Sequence, residues 1–394
     1  MSTSLRDALH RRLLDTPFDP EQFDRPELRS RLETMLRDED PLCPAADAAR
    51  VLDALVDEVG GLGPLEPLMA DGEVTEIMLN GPGRAFVERR GRLVAVDLDL
   101  DATTIARMAQ RIVAPLGLRL DQSSPLVDAR LPDGSRVHAV LPPLAPDGPC
   151  LTIRRFTVRD VTLAAFGLDE RAVALCGALV RGGWNLLVAG ATSAGKTTLC
   201  NALARAIDPS ERIVTIEETT ELRLGQPHVV RLEARPANAE GVGAVSVRDL
   251  VRASLRMRPD RIVVGEVRGG EALDMLQALN TGHDGSLSTV HANGTAEALT
   301  RLETLALCAD IALPLAAIRA QIAAAIDAVV AVARTPEGAR VVTEVAEVEG
   351  GDPLSVRPLL QRGPDGLRVV AAPVRSARRP GVDLAEVWNA CTPS

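Results

Sequence analysis

The chain of 394 residues contains no tyrosine, and aromatic residues make up only 2% of it. Its core must therefore be built from alanine, leucine, valine and isoleucine. Lysine is scarcer than any other charged residue. Of 44 basic residues, Lys196 is the single lysine and the rest are arginine. The arginine bias and the abundance of alanine read as a bias of composition and carry no mechanism. Cys43, Cys150, Cys176, Cys200, Cys308 and Cys391 form no CxxC pair. That excludes a zinc ribbon, and a chain of this length does not call for a disulfide framework. The cysteines read as buried free thiols in a reducing compartment.

A long apolar run is missing too. The stretch "MSTSLRDALHRRLLDTPFDP" lacks the apolar centre of a signal peptide. The most apolar segment, "IALPLAAIRAQIAAAIDAVVAVA", is interrupted by Pro314, Arg319, Gln321 and Asp327, so it reads as a core helix followed by a strand rather than a membrane span. The expectation is a cytoplasmic protein, peripheral to the membrane, whose membrane contact runs through a partner. The formal net charge of −10 argues against a broad grip on phosphate backbones, although it leaves room for a local basic groove. Nucleic acid is not expected as a direct ligand.

What is present is ordinary soluble material, 46% hydrophobic and 25% charged, long enough for two domains and tails. Residues 1–50 have helical spacing in "LRDALHRRLL" and "PELRSRLETMLRDED", broken by Pro41 and Pro44, and read as a mobile helical arm. Residues 51–155 mix an amphipathic helix with short strands. Gly91 sits at one turn and Pro132-Asp133-Gly134-Ser135 forms another. Residues 156–165 read as a linker. From 166 to 362 strands alternate with helices, the pattern of a parallel sheet covered on both faces, closed by the hairpin "AVVAVARTPEGARVVTEVAEV". Residues 363–394 read as a loosely held tail.

The lysine sits in Gly190-Ala191-Thr192-Ser193-Ala194-Gly195-Lys196-Thr197, which matches GxxxxGK[ST] between an apolar strand and a helix. Backbone N–H groups of such a loop cradle a β-phosphate, and the helix dipole adds to the attraction. Gly190 and Gly195 permit backbone angles and close approaches that a side chain blocks. Lys196 brings a compact charge to the β- and γ-phosphates. The wider planar fork of arginine does not fit this enclosed loop, which accounts for the one lysine in an arginine-biased chain. Thr197 is expected to ligate Mg²⁺, and Thr198 to reach the α-phosphate.

Hydrolysis also needs a positioned water and a base. Two strands end in carboxylates, "RIVTIEETTEL" at Glu217-Glu218 and "RIVVGEV" at Glu266, and ligands of parallel sheets bind at the carboxyl ends of strands. Glu217 is assigned as the base and Glu266 as a holder of the Mg²⁺ shell, with the two roles open to exchange. "TGHDGSLSTVHAN" places His283 and His291 around a Gly/Ser stretch. The spacing does not suggest zinc, and a neutral His donating to the γ-phosphate is the functional reading. Arg248, Arg252 and Arg256 recur at four-residue spacing and read as a solvated or subunit-facing stripe.

The motifs "GATSAGKTT", "IEETTEL", "MRPDRIVVGEVRGGEALDMLQALNTGHDGSLSTVHAN", "GLGPLEPL", "LVDARLPDGSRV" and "LTIRRF" occur in an order that resembles the type II/IV secretion system ATPases. Within them the chain looks most like the CpaF/TadA branch that powers Tad (Flp) pilus assembly. The resemblance implies an α/β chain, with a RecA-like P-loop ATPase domain on a parallel-type sheet preceded by a smaller α/β N-terminal domain. It also implies ATP and Mg²⁺ as ligands, a homo-hexameric ring and inner-membrane platform proteins as partners. By the same resemblance IEE is similar to an Asp box, GEVR to a Walker B motif containing Arg268, and TGH…H to a His box. Arg136 and Arg154 fall on N-terminal-domain arginines that close over the γ-phosphate. Glu218 stands where the family usually carries Asp, and the four-cysteine insert of the type II branch is absent. The implied function is a Mg-ATP-driven motor for pilus assembly or secretion. The alternatives are a VirB11-like conjugation or DNA-transfer ATPase, or a nucleotide-gated scaffold with negligible turnover.

Overall fold

The computed structural model describes residues 2–14, 25–131, 133–155, 161–235, 237, 242–364 and 366–391. Pro132 and the first half of the expected linker, residues 156–160, lie outside them, as do residues 15–24 of the expected arm. The chain divides into two compact units, Met1–Thr157 and Val158–Ser394.

In the first unit, α1 (Ser2–Leu14), α2 (Arg25–Glu39) and α3 (Ala45–Gly60) pack together. Leu9 and Leu13 meet Leu28, Leu32 and Leu36 of α2 and Leu55 of α3. The first two helices thus share a core with the third. After α4 (Glu66–Ala70) come β1 (Val74–Asn80), β2 (Ala85–Arg89), β3 (Arg92–Val96), α5 (Ala102–Val113), β4 (Leu126–Arg130), β5 (Arg136–Val140) and β6 (Cys150–Arg154). The strands form one antiparallel sheet in the order β3-β2-β1-β6-β5-β4. Arg90 and Gly91 both have positive φ, which gives the tight β2–β3 turn the twist that suits a two-residue hairpin. In α5 the Asp101 side chain accepts from Thr104 N at the N-terminus, and Ile105, Met108, Ala109, Ile112 and Val113 form the buried stripe.

The second unit runs α6 (Glu170–Arg181), β7 (Leu186–Gly190), α7 (Lys196–Ala204), β8 (Ile213–Glu217), β9 (Val229–Glu233), α8 (Val247–Ser254), β10 (Arg261–Val267), α9 (Glu271–Leu279), β11 (Leu287–His291), α10 (Thr295–Leu307), α11 (Leu315–Ala325), β12 (Ala328–Arg334), β13 (Arg340–Glu349), β14 (Ser355–Gly363), β15 (Gly366–Val369) and α12 (Leu384–Cys391). Its sheet has the order β15-β14-β13-β12-β7-β11-β10-β8-β9. The six strands from β12 to β9 are parallel, and β13, β14 and β15 extend the sheet antiparallel. Helices cover both faces. On β7, Leu186 and Val188 enter one core while Leu187 and Ala189 enter the other, the alternation of a strand buried on both sides. Among the described residues no helix is long and apolar enough to cross a membrane.

The described residues from 366 to 391 are packed, in contrast to the loosely held tail expected of 363–394. β15 pairs with β14. Leu384 and Trp388 of α12 join the core that contains α6. Arg375 and Arg378 reach the buried Asp327 at 3.0 and 2.8 Å, and Trp184 Nε1 donates to Ser376 O at 3.1 Å. Irregular backbone stapled by arginine leaves no periodic signal.

The arginine stripe is also different from the expectation. α8 ends at Ser254, so Arg256 lies beyond it. Arg248 and Arg252 each place Nε 2.7 Å from the carboxylate of Asp274, which is 6% exposed. Two of the three arginines therefore bind within their own fold. Of the cysteines, Cys176 and Cys200 are buried free thiols pushed up to about 12 by desolvation, whereas Cys308 is exposed.

Candidate functional site

In register, Gly190 at the end of β7 faces His291 at the end of β11. The same edge carries Glu266 on β10 and Glu217 on β8. A parallel sheet aligns its carboxyl ends, which is how one loop and three strand termini converge. Gly190 leads into the loop that opens α7. A Cβ there would lie 2.6 Å from Val332 O on β12, and Gly195 has φ +97°. The two glycines thus answer different needs, close packing for one and a left-handed backbone for the other. Ser193 is left-handed as well, at φ 61°.

Lys196 lies across this cradle. Its Nζ donates to Gly190 O at 3.1 Å and Ala191 O at 3.2 Å, and stands 3.9 Å from Glu266 Oε1. The side chain is 10% exposed, sheltered between its own loop and the β10 carboxylate. Arg268 closes the far side, with one arm 2.7 Å from Glu266 Oε2 and the other 2.8 Å from Glu218 Oε2. Its hydrogen bond with Glu266 holds the guanidinium above its ordinary range.

Glu217 is shut away from this opening. It is 3% exposed. Its Oε1 accepts from Glu221 N at 2.8 Å and Leu222 N at 2.9 Å, and its Oε2 is buried without a hydrogen-bond partner. Burial pushes its carboxyl up to about 7, against the lowering effect of the two N–H donors. Glu221, four residues on, takes the position next to the loop and accepts from Thr197 Oγ1 at 3.2 Å. Reading the sequence by strand ends alone misses Glu221. Its signal is an acid four residues beyond the end of an apolar strand, in a polar loop.

The two histidines separate. His291 Nδ1 is 3.4 Å from Thr192 Oγ1, beside the loop. His283 precedes β11 at its opposite end, about 13 Å of strand away from His291, with Nδ1 2.8 Å from Ala278 O. Of the two candidate histidines, His291 therefore stands beside the loop, and the strand separates His283 from it. In the first unit, Arg136 and Arg154 are direct cross-strand partners on β5 and β6, and Arg154 also faces Glu76 on β1.

A phosphate-bearing ligand fits the cradle, whose amides open on a helix N-terminus with lysine at its centre. Mg²⁺ fits the hard oxygen donors beside it, the Thr197 hydroxyl and the carboxylates of Glu221 and Glu266. No group of three or more His, Cys, Asp or Glu among the described residues makes a metal site by itself.

The family model for "Type II/IV secretion system protein" matches residues 58–346. A Mycobacterium tuberculosis protein named for conjugal transfer is 44% identical over 306 residues, covering 75% of this chain and 86% of the other. The type IV secretion system protein PtlH of Bordetella pertussis is 38% identical, covering 71% of this chain and 91% of its own. Among solved structures, the Yersinia pseudotuberculosis ATPase DotB aligns with a TM-score of 0.54 at 20% identity, over 72% of this chain and 77% of that one. At that identity the likeness concerns the fold.

Proposed function

The chain belongs to the type II/IV secretion system protein family, and from that premise we propose that it is a Mg-ATP-hydrolysing motor of a secretion-type machine. The observation that carries the reading is the loop at Lys196. A left-handed Ser193 and Gly195 open α7, and the only lysine lies between the loop carbonyls and Glu266.

In this reading, ATP enters the cradle and Lys196 turns from Gly190 O and Ala191 O to the β- and γ-phosphates. The backbone amides of residues 191–197 and the α7 dipole hold the phosphate oxygens. Thr198 reaches the α-phosphate. Thr197 would hold Mg²⁺ together with Glu221, and the cation would supply neutralisation of developing phosphate charge. Glu266, part-exposed and beside Lys196, orients and deprotonates the attacking water, the base role that the sequence leaves open between it and Glu217. His291 donates to the γ-phosphate region, and Arg268 fixes the Glu266 carboxylate. Arg136 and Arg154 are proposed to close over the γ-phosphate during the cycle.

The working form is proposed to be a homo-hexameric ring, cytoplasmic and peripheral to the membrane, acting on inner-membrane platform proteins. The motif likeness supports Tad/Flp pilus assembly. The names of the relatives, for conjugal transfer and type IV secretion, support a second reading as a transfer ATPase. The net charge of −10 favours a motor that does not itself grip DNA. The test is the specific Mg-ATPase activity across a range of protein concentrations, with and without DNA. A steep rise with concentration, indifferent to DNA, supports an assembled motor. A concentration-independent rate removes the ring, and DNA stimulation favours the transfer reading.

A further inference from the structure

Two acids of the "IEETTEL" stretch, Glu217 and Glu221, divide between the interior and the site. We propose that Glu217 is a positioning residue that holds the 218–222 turn so that Glu221 reaches the Thr197 hydroxyl, and that it is not the base. The inference rests on the nucleotide-site reading above and deepens it.

A base must come within about 3 Å of the water it activates. Glu217 has no open face. One carboxylate oxygen is committed to Glu221 N and Leu222 N, and the other is enclosed. The side chain also occupies a slot left by its neighbour strand, since a Cβ on Gly265 would lie 2.6 Å from Glu217 Cγ. Gly265 directly precedes Glu266, so Glu217 packs the turn after β8 closely against the strand that presents Glu266. The turn has a second anchor, with Thr220 N donating to Glu233 Oε2 at 2.9 Å, and Leu222 is fully buried beneath it. With both ends fixed, the Glu221 side chain points to the first turn of α7 and meets Thr197 Oγ1 at 3.2 Å. The chain of contacts runs from Glu217 through backbone to Glu221 and on to the hydroxyl assigned to Mg²⁺.

The variants Glu217→Gln, Glu217→Leu and Glu221→Gln separate these roles. Gln keeps an oxygen that accepts from both turn N–H groups, whereas Leu fills the slot without an acceptor. The readouts are the Mg²⁺ concentration that half-saturates binding of fluorescent ADP, ADP binding without Mg²⁺, kcat, and the thermal midpoint. The expected result is that Glu217→Leu needs about tenfold more Mg²⁺, the order expected for a lost hydrogen bond, with Mg-free binding within about twofold of the parent. Glu221→Gln shows the same shift, and the double variant is no worse than Glu221→Gln alone, because both act on one contact. Glu217→Gln turns over at least about tenfold faster than Glu217→Leu.

Additive Mg²⁺ shifts in the double variant, or a Glu217→Gln protein that melts normally yet loses turnover about a hundredfold or more, would overturn the proposal. The second result would return Glu217 to the role of base. Should Glu217→Leu not fold, the Glu217→Gln turnover still decides between the two roles. A parent protein without Mg-ATP turnover rejects the motor reading, whereas the Mg²⁺ dependence of ADP binding still decides the role of Glu217.

Discussion

Arg268 spans Glu266 and Glu218, with guanidinium nitrogens 2.7 and 2.8 Å from their carboxylates. The span fixes Glu266, a strand-end acid whose Oε1 also stands 3.9 Å from Lys196 Nζ. Replacing Glu266 by Gln should leave ADP affinity within about threefold and lower kcat by about 10²–10⁴, the range for a lost general base. Arg268→Ala should lower kcat by about tenfold, since the carboxylate stays but loses its orientation. Steady-state rates beside fluorescent-nucleotide binding separate the two effects. Equal kcat for Glu266→Gln and the parent removes Glu266 from the reaction.

Lys196 donates to two loop carbonyls, and the wider planar fork of arginine does not reproduce a compact ammonium there. Lys196→Arg should therefore be nearly as inactive as Lys196→Ala, with both at least about a hundredfold below the parent. A Lys196→Arg protein with more than about a tenth of parental activity would contradict the enclosed-loop argument. It would leave the lone lysine of the chain unexplained.

The buried Glu217 carboxyl makes folding depend on pH in a defined direction. Its folded value of about 7 lies above its ordinary value of 4.5, so between those limits the folded chain binds more proton than the unfolded one. Stability from this group is complete at low pH and falls as pH rises from about 4.5 to 7, by on the order of 3 kcal/mol. Glu217→Gln removes the group. Its thermal midpoint relative to the parent should climb as pH goes from 5 to 7.5. Parallel pH curves for the two proteins would show that Glu217 titrates normally.

The segment after β15 is held by charge as well as by α12. Asp327 is 2% exposed and is met by both Arg375 and Arg378. Arg378→Ala should destabilise by about 2 kcal/mol, because it leaves a buried carboxylate with one partner fewer. The Arg375→Ala, Arg378→Ala double variant should lose more than that. Urea denaturation gives the values, and unchanged midpoints would mean that the segment is only loosely docked.

Some of this was legible in the sequence. The loop at Lys196 is local, and strand, turn and helix follow one another without interruption. Glu266 and His291 were legible for the same reason, as ends of apolar strands whose parallel pairing aligns them. Glu217 misleads because all five residues of β8 are buried. A strand covered on both faces has no alternation to tell an inward acid from an outward one. Glu221 and the arginines of 375–379 lie in irregular backbone, where position depends on long-range partners that no period announces. His283 and His291 look alike in sequence, and only the strand between them separates their ends.

The most direct test of the central claim is phosphate release from Mg-ATP by the purified chain and by a folded Lys196→Ala variant at equal, high protein concentration. Mg²⁺-dependent release by the parent that falls at least about a hundredfold in the variant is the predicted result. Equal release by the two proteins, or none by the parent, would contradict it.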